Sequence, residues 1–172
     1  MFRHGSNWKV VESGYKYNPV DPYRLLIQVE SAGNDDNPKL RDQDIYINGS
    51  QVLNSISPRS YRATQLRMEG GSWNYITSSG FDVYGSNTNA SNMNIFLNSF
   101  QDRDLLVMNT FDEPSLRRWY FTGVLYYDFK AREHVNVAHR ESYQLIAIKN
   151  IGVIYENRQP RFGTSIRTTL YL

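Results

Sequence analysis

Tyr23-Arg-Leu-Leu-Ile-Gln-Val-Glu30 runs straight into Ser31-Ala-Gly-Asn-Asp-Asp36, and the same order returns as Leu105-Leu-Val-Met108 followed by Asn109-Thr-Phe-Asp112. Each apolar run has too few polar breaks for a strand with one wet face, so each reads as a buried, central strand. Each then enters an acidic, Asn-rich turn, where short polar side chains hydrogen-bond the local backbone. The pattern predicts a β-dominated fold with two acidic turns at the tips of adjacent strands.

The rest of the chain is punctuated in keeping with this. Asp44 to Asn48 and Gln51 to Asn54 form a predicted hairpin about Asn48-Gly49, since both turn residues accept positive φ. Thr64 to Glu69 alternates and is expected to run into a loop at Gly70-Gly71, with Trp73 to Ile76 and Gly80 to Tyr84 as short segments about a Ser-rich bend. A helix is predicted over 89–100, where Met93, Phe96, Leu97 and Phe100 share a face, with Thr88 or Ser91 as N-cap. A second helix is expected to start near Pro114 with Leu116, Tyr120 and Val124 as its stripe, and Leu125 to Phe129 fits either helix or strand. Ser142 to Ile148 and Gly152 to Tyr155 read as strands. Ser165 to Leu172 alternates with Ile166, Thr168, Leu170 and Leu172 on one side, has no obvious partner inside the domain, and is expected to add to an edge of its own sheet or to that of another chain.

Composition narrows the function classes. A chain of 172 residues can bury a core without staples, and the absence of cysteine excludes thiolate zinc or iron–sulfur sites. Nineteen Lys and Arg against 17 Asp and Glu leave a formal +2, and the richest basic cluster is Arg117-Arg118, which argues against nucleic acid as a partner. The opening Met1 to Trp8 carries no apolar stretch of signal-peptide length, and no segment approaches a bilayer span. The 13 Tyr, 8 Phe and 3 Trp fit pleated surfaces and equally fit ring-stacking binding faces.

Taken with Ala138-His-Arg-Glu-Ser-Tyr-Gln-Leu-Ile-Ala-Ile-Lys-Asn150, the order of motifs resembles the interleukin-like EMT-inducer (ILEI) domain family. The residues that carry the likeness are Ser31 to Asp36, Asp44 to Leu53, Phe81-Asp82, Ile95-Phe-Leu97, Leu105 to Asp112, Ser115 to Trp119, Arg140-Glu-Ser-Tyr143 and Gly152 to Glu156. The likeness spans 23–157, leaving an N-terminal arm at 1–22 and a C-terminal extension at 158–172. It implies an α+β, mostly β domain, a two-sheet β-sandwich with two or three short helices, acting as a binding module and not an enzyme. Glu141 and Tyr143 stand where the family often has Asp and Trp, and Lys149-Asn150 replaces a small-residue pair. Without cysteines or a signal sequence, the cytokine-like role of animal members does not transfer. Two other uses do: glycan binding and service in phage tail proteins.

The expectation is therefore a non-catalytic structural and attachment protein of a bacteriophage tail, baseplate or fibre, made in the host cytoplasm and resident in the virion. Its partners would be other virion proteins or copies of itself, and a cell-surface glycan. The alternative is a lectin-like domain acting alone. Trp73, Tyr75 and Tyr84, with Trp119, are the stacking candidates, and Asn34, Asp35, Asp36 and Asp112 the polar readers. Trp8, Ile166, Leu170 and Leu172 are the candidate assembly residues, docking by strand addition.

Catalytic readings are weaker. Asp35, Asp36, Asp112 and Glu113 are the candidate acid–base carboxylates, but turn carboxylates commonly cap backbone, so a hydrolase using Asp112 and Asp36 ranks third. There is no Gly-x-Ser-x-Gly or phosphate-cradling glycine loop. A calcium or magnesium site from Asn34, Asp35, Asp36 and Asp112 lacks EF-hand spacing. His4, His134 and His139 lack zinc spacing and read as surface or interface residues, and Arg140 reads as the partner of a carboxylate. No cofactor or metal is expected.

Overall fold

The computed structural model of the chain describes residues 9–10, 25–38, 44–52 and 60–172. In chain order these form β1 (Lys9–Val10), β2 (Leu26–Gly33), β3 (Ile45–Ile47), β4 (Ser50–Gln51), β5 (Ser60–Glu69), β6 (Ser72–Phe81), α1 (Asn87–Asn98), β7 (Leu105–Asp112), α2 (Trp119–Tyr127), a 3₁₀ turn at Glu133–Asn136, β8 (Ser142–Ile148), β9 (Gly152–Gln159) and β10 (Ile166–Tyr171). The described chain is mostly β, with two α-helices and a mixed sheet.

Both apolar runs are central strands. β7 lies between antiparallel β5 and β8, and beyond the end of β8 its tip pairs in parallel with the tip of β2, Ala32 opposite Phe111 and Gly33 opposite Asp112. The rest of β2 runs between β10 and β3, both antiparallel to it. Burial on both faces explains the unbroken apolar sequence of β7. Leu106 and Met108 enter a core under the helices with Phe121, Leu125, Met93 and Leu97, while Leu105 and Val107 enter a second core with Ile146, Leu66, Ile27, Val29, Ile45 and Leu170. Each such side chain contributes about 1.5–3 kcal/mol by leaving water. Polar side chains bind β2 across the second core's edge. Asn109 Nδ2 donates to Glu30 O, Gln144 Nε2 to Val29 O and Ile166 O, and Ser31 Oγ to Tyr143 O.

The Asn48-Gly49 hairpin forms as predicted, with φ of 51° and 79° at its turn. Gly70 and Gly71, at 60° and 85°, make a second tight turn, so β5 runs directly back as β6 instead of entering a loop. The Ser-rich bend predicted between two short segments is also continuous strand, because Ser78 pairs with Thr64 and their hydroxyls bond at 2.9 Å. Helix α1 starts two residues early. Ser86 Oγ accepts from Asn89 N, which places Thr88 and Ser91 inside the helix and not at its cap. Helix α2 starts late, since Arg117 sits at φ 66° and cannot continue a helix from Pro114. Its buried face is Phe121 and Leu125, and the predicted stripe residues Leu116 and Tyr120 are exposed.

The C-terminal strand finds its partner within the chain. β10 pairs with β2 from Ile166 opposite Ser31 to Tyr171 opposite Leu26, and Leu25 and Leu172 exchange two backbone hydrogen bonds of 2.9 Å. Ile166 and Leu170 are buried and Leu172 packs on the second core, so these three candidate assembly residues face this chain's own interior. The strand expected in the 158–172 extension thus joins this chain's own sheet. Trp8 and the rest of the predicted arm, apart from β1 paired to β10, lie outside the described residues.

Candidate functional site

The two acidic turns meet. Asn34 N donates to Asp112 O at 3.1 Å, so the tips of β2 and β7 form one end of the sheet. Gly33 is required there by contact: a Cβ on it would lie 2.1 Å from Arg140 O and 2.8 Å from Asp36 Oδ1. Asp36 Oδ2 accepts from Gly33 N at 2.7 Å and from Ser165 Oγ, which ties the β2 turn to the start of β10. Asp35 receives both Arg161 and Arg140, at 2.6 and 3.2 Å. The Arg161 hydrogen bond, with Arg140 behind it, outweighs desolvation and holds the Asp35 carboxyl below the ordinary carboxylate range. Glu113, buried, accepts from Ser115 N, Arg140 N and His139 Nδ1.

These carboxylates are thus occupied in holding turns, as capping predicts, and Arg140 takes a carboxylate partner as read from the sequence. Among the described residues no group of three or more His, Cys, Asp or Glu is arranged to hold a metal ion. Gly33→Ala is expected to cost about 1–3 kcal/mol or more, because the methyl meets rigid backbone rather than a flexible side chain. A thermal melt unchanged from the parent would contradict the packing of this tip.

The stacking candidates are scattered. Trp73 and Tyr75 lie on β6 near the Gly70-Gly71 turn, Trp73 half-buried against the second core and Tyr75 exposed. Tyr84 follows the far end of β6, on the side of the acidic turns, where its carbonyl accepts from Arg117. The length of β6 separates them, so they make no common surface.

A different surface forms on α2, where Trp119 is 63% exposed. Trp119, Thr122 and Gly123 line one side of a shallow groove, Val135 of the 3₁₀ turn lines the other, and Arg118 joins them. The groove walls are fixed from below. Arg118 Nη1 donates to Ser115 O and Nη2 to Val135 O, at 3.1 and 3.3 Å, while Glu156 accepts backbone N–H bonds from Arg132, Glu133 and His134 and so caps the turn. Under the groove His134 is fully buried, which overturns its reading as a surface residue. Its Nε2 meets Tyr61 Oη and its Nδ1 meets Thr122 Oγ1, both at 3.2 Å, inside a ring cage of Tyr61, Phe121 and Tyr143. Burial, with the Arg118 charge adding to it, pushes the His134 pKa down to about 3.

Of this surface the sequence reading held only Trp119. The signal that points to the rest is a glycine placed mid-helix between aromatic pairs, Trp119-Tyr120 and Tyr126-Tyr127, behind Arg117-Arg118. No family model matches the chain, and no curated protein matches it.

Proposed function

We propose that this chain is a non-catalytic binding module of the ILEI-like sandwich kind, serving as a structural and attachment protein of a bacteriophage tail, baseplate or fibre, with a glycan as its ligand. The observation that carries the binding reading is the α2 surface, an indole 63% exposed over a groove with a rigid floor. A ring that costs apolar exposure in the free protein, set beside polar groups already positioned, is what sugar stacking uses. The sandwich reading is supported by the second core, where β2, β3 and β10 share buried side chains with β5, β7 and β8. The non-catalytic reading is supported by the acidic tips, where Asp35, Asp36 and Glu113 hold backbone and arginines. The virion setting rests on the resemblance and on the uses of similar domains.

A glycan array probed with the full chain tests the ligand. Signal is expected, abolished by Trp119→Ala and retained by Trp73→Ala, since only the first ring borders the groove. A silent array removes the glycan reading. Particles that stay intact and infectious after deletion of the gene remove the virion role.

A further inference from the structure

Arg62, Arg67, Arg140, Lys149, Arg158, Arg161 and Arg167 each face a carboxylate. Arg118 does not, among the described residues. Its two hydrogen bonds go to the neutral carbonyls of Ser115 and Val135, which aim the guanidinium at the groove and leave three of its five N–H donors unspent. Such a fork, already immobilised, suits a planar carboxylate.

Gly123 supplies an independent observation. It is in the middle of α2, its φ is not positive, and a Cβ built on it meets nothing within 4 Å. Glycine here costs the helix about 1 kcal/mol relative to alanine, and no contact within the chain requires it. What its missing side chain leaves is open floor between Trp119 and the facing Val135, itself 42% exposed.

We propose that this groove seats a carboxylate-bearing sugar ring, stacked on Trp119 over Gly123 with its carboxylate on Arg118, so that the module's ligand is an acidic glycan. The inference rests on the glycan reading above and narrows it to one class. A polyphosphate fits less well. Asp128 and Glu133 border the same helix and turn, and Arg117 is consumed by Asn87, Val83 and Tyr84, so the surface suits one charge per ring or fewer rather than a phosphate at every link.

The test is an array of uronate- and sialate-bearing oligosaccharides printed beside their carboxyl-reduced forms, with a single-stranded oligothymidylate added as a separate probe. Acidic members are expected to bind about tenfold or more tighter than their reduced forms, as loss of a charged, bidentate hydrogen bond requires. Arg118→Gln should erase that preference, bringing acidic and reduced forms to a common affinity. Gly123→Leu should abolish binding to both, with a melting temperature no lower than the parent's, which separates a filled groove from a misfolded chain. Equal binding of acidic and reduced forms through Trp119 overturns this inference and leaves the glycan reading standing. Absence of all sugar binding overturns both, and tighter binding of the oligothymidylate than of any acidic sugar makes the surface a nucleic-acid platform instead.

Discussion

Asp44→Asn is expected to cost about 3–5 kcal/mol of folding stability, although it removes one charge and almost no volume. Tyr61 and Ala63 point into the core under the helices, so Arg62 between them points the other way, into the space between β5 and the β2–β3 hairpin region. It is only 1% exposed there. Its counter-charge is Asp44, just before β3, with Oδ1 at 3.7 Å, and Asp44 is itself held by Tyr46 and Gln51. Burial pulls the Arg62 pKa down and Asp44 opposes that, but a guanidinium keeps its proton, so neutralising Asp44 takes the facing carboxylate away from a cation held in the interior. The pair is a liability only when broken. Arg62→Met combined with Asp44→Leu should lie close to the parent, since apolar replacement of both partners avoids the desolvation of either. Urea unfolding of the parent, both single variants and the double variant closes the cycle, and a loss under about 1 kcal/mol for Asp44→Asn would show the pair to be solvated.

The elements that were legible in the sequence are those whose residues answer to neighbours in sequence. Asn48-Gly49 made its turn because both residues accept the φ it needs, and Leu105 to Met108 read as central because every side chain had to be buried. The acidic turns met because each followed such a strand. Failures came where a distant contact decided the outcome. Thr77 to Ser79 looks like a bend until Thr64 lies beside it and satisfies Ser78. The stripe Leu116, Tyr120, Val124 was displaced when Arg117 took a left-handed conformation, held by Asn87, Val83 and Tyr84 from another part of the chain. Which edge Ile166 to Leu172 joins, its own sheet's or another chain's, depends on a partner about 140 residues earlier, at Leu26 to Ser31. Lys149, read as a departure from a family pattern, reaches Phe100 O at 2.9 Å near the C-terminus of α1, where a cation also meets the helix dipole. The groove was out of reach for the same reason. Gly123 and Trp119 are on one helix, but Val135 and the floor under them arrive from the turn that Glu156 holds, and only folding brings these together.

Acid should unfold this protein one proton earlier than its carboxylates would require, through His134. Thr122 Oγ1 donates to Arg118 O, so it must accept from Nδ1–H, which leaves Nε2 bare to accept from Tyr61 O–H. The imidazole is therefore neutral and fully used, and a second proton would confront Tyr61 in a cage of three rings, with the Arg118 cation acting on it and, among the described residues, no carboxylate bonded to the ring. Glu156, which caps the 3₁₀ turn, is turned to the backbone of that turn and to Tyr143 Oη at 2.7 Å. With the folded pKa near 3 against an ordinary 6.5, the unfolded chain binds a proton that the folded chain refuses throughout that interval. Stability is then complete above pH 6.5 and falls with acid by about 1.4 kcal/mol per pH unit, on the order of 4 kcal/mol by the lower end. Asp35 and Asp104, whose pKa values lie below the ordinary 3.8, keep their contribution until the pH drops below that value, so the upper part of the window belongs to His134. His134→Gln should weaken the fold at neutral pH, where it loses one of two hydrogen bonds, yet flatten the decline between pH 6 and 4.5 by one proton. Unfolding free energies measured across that range in both proteins decide it, and parallel curves would mean that the folded imidazole takes up its proton as readily as the unfolded one.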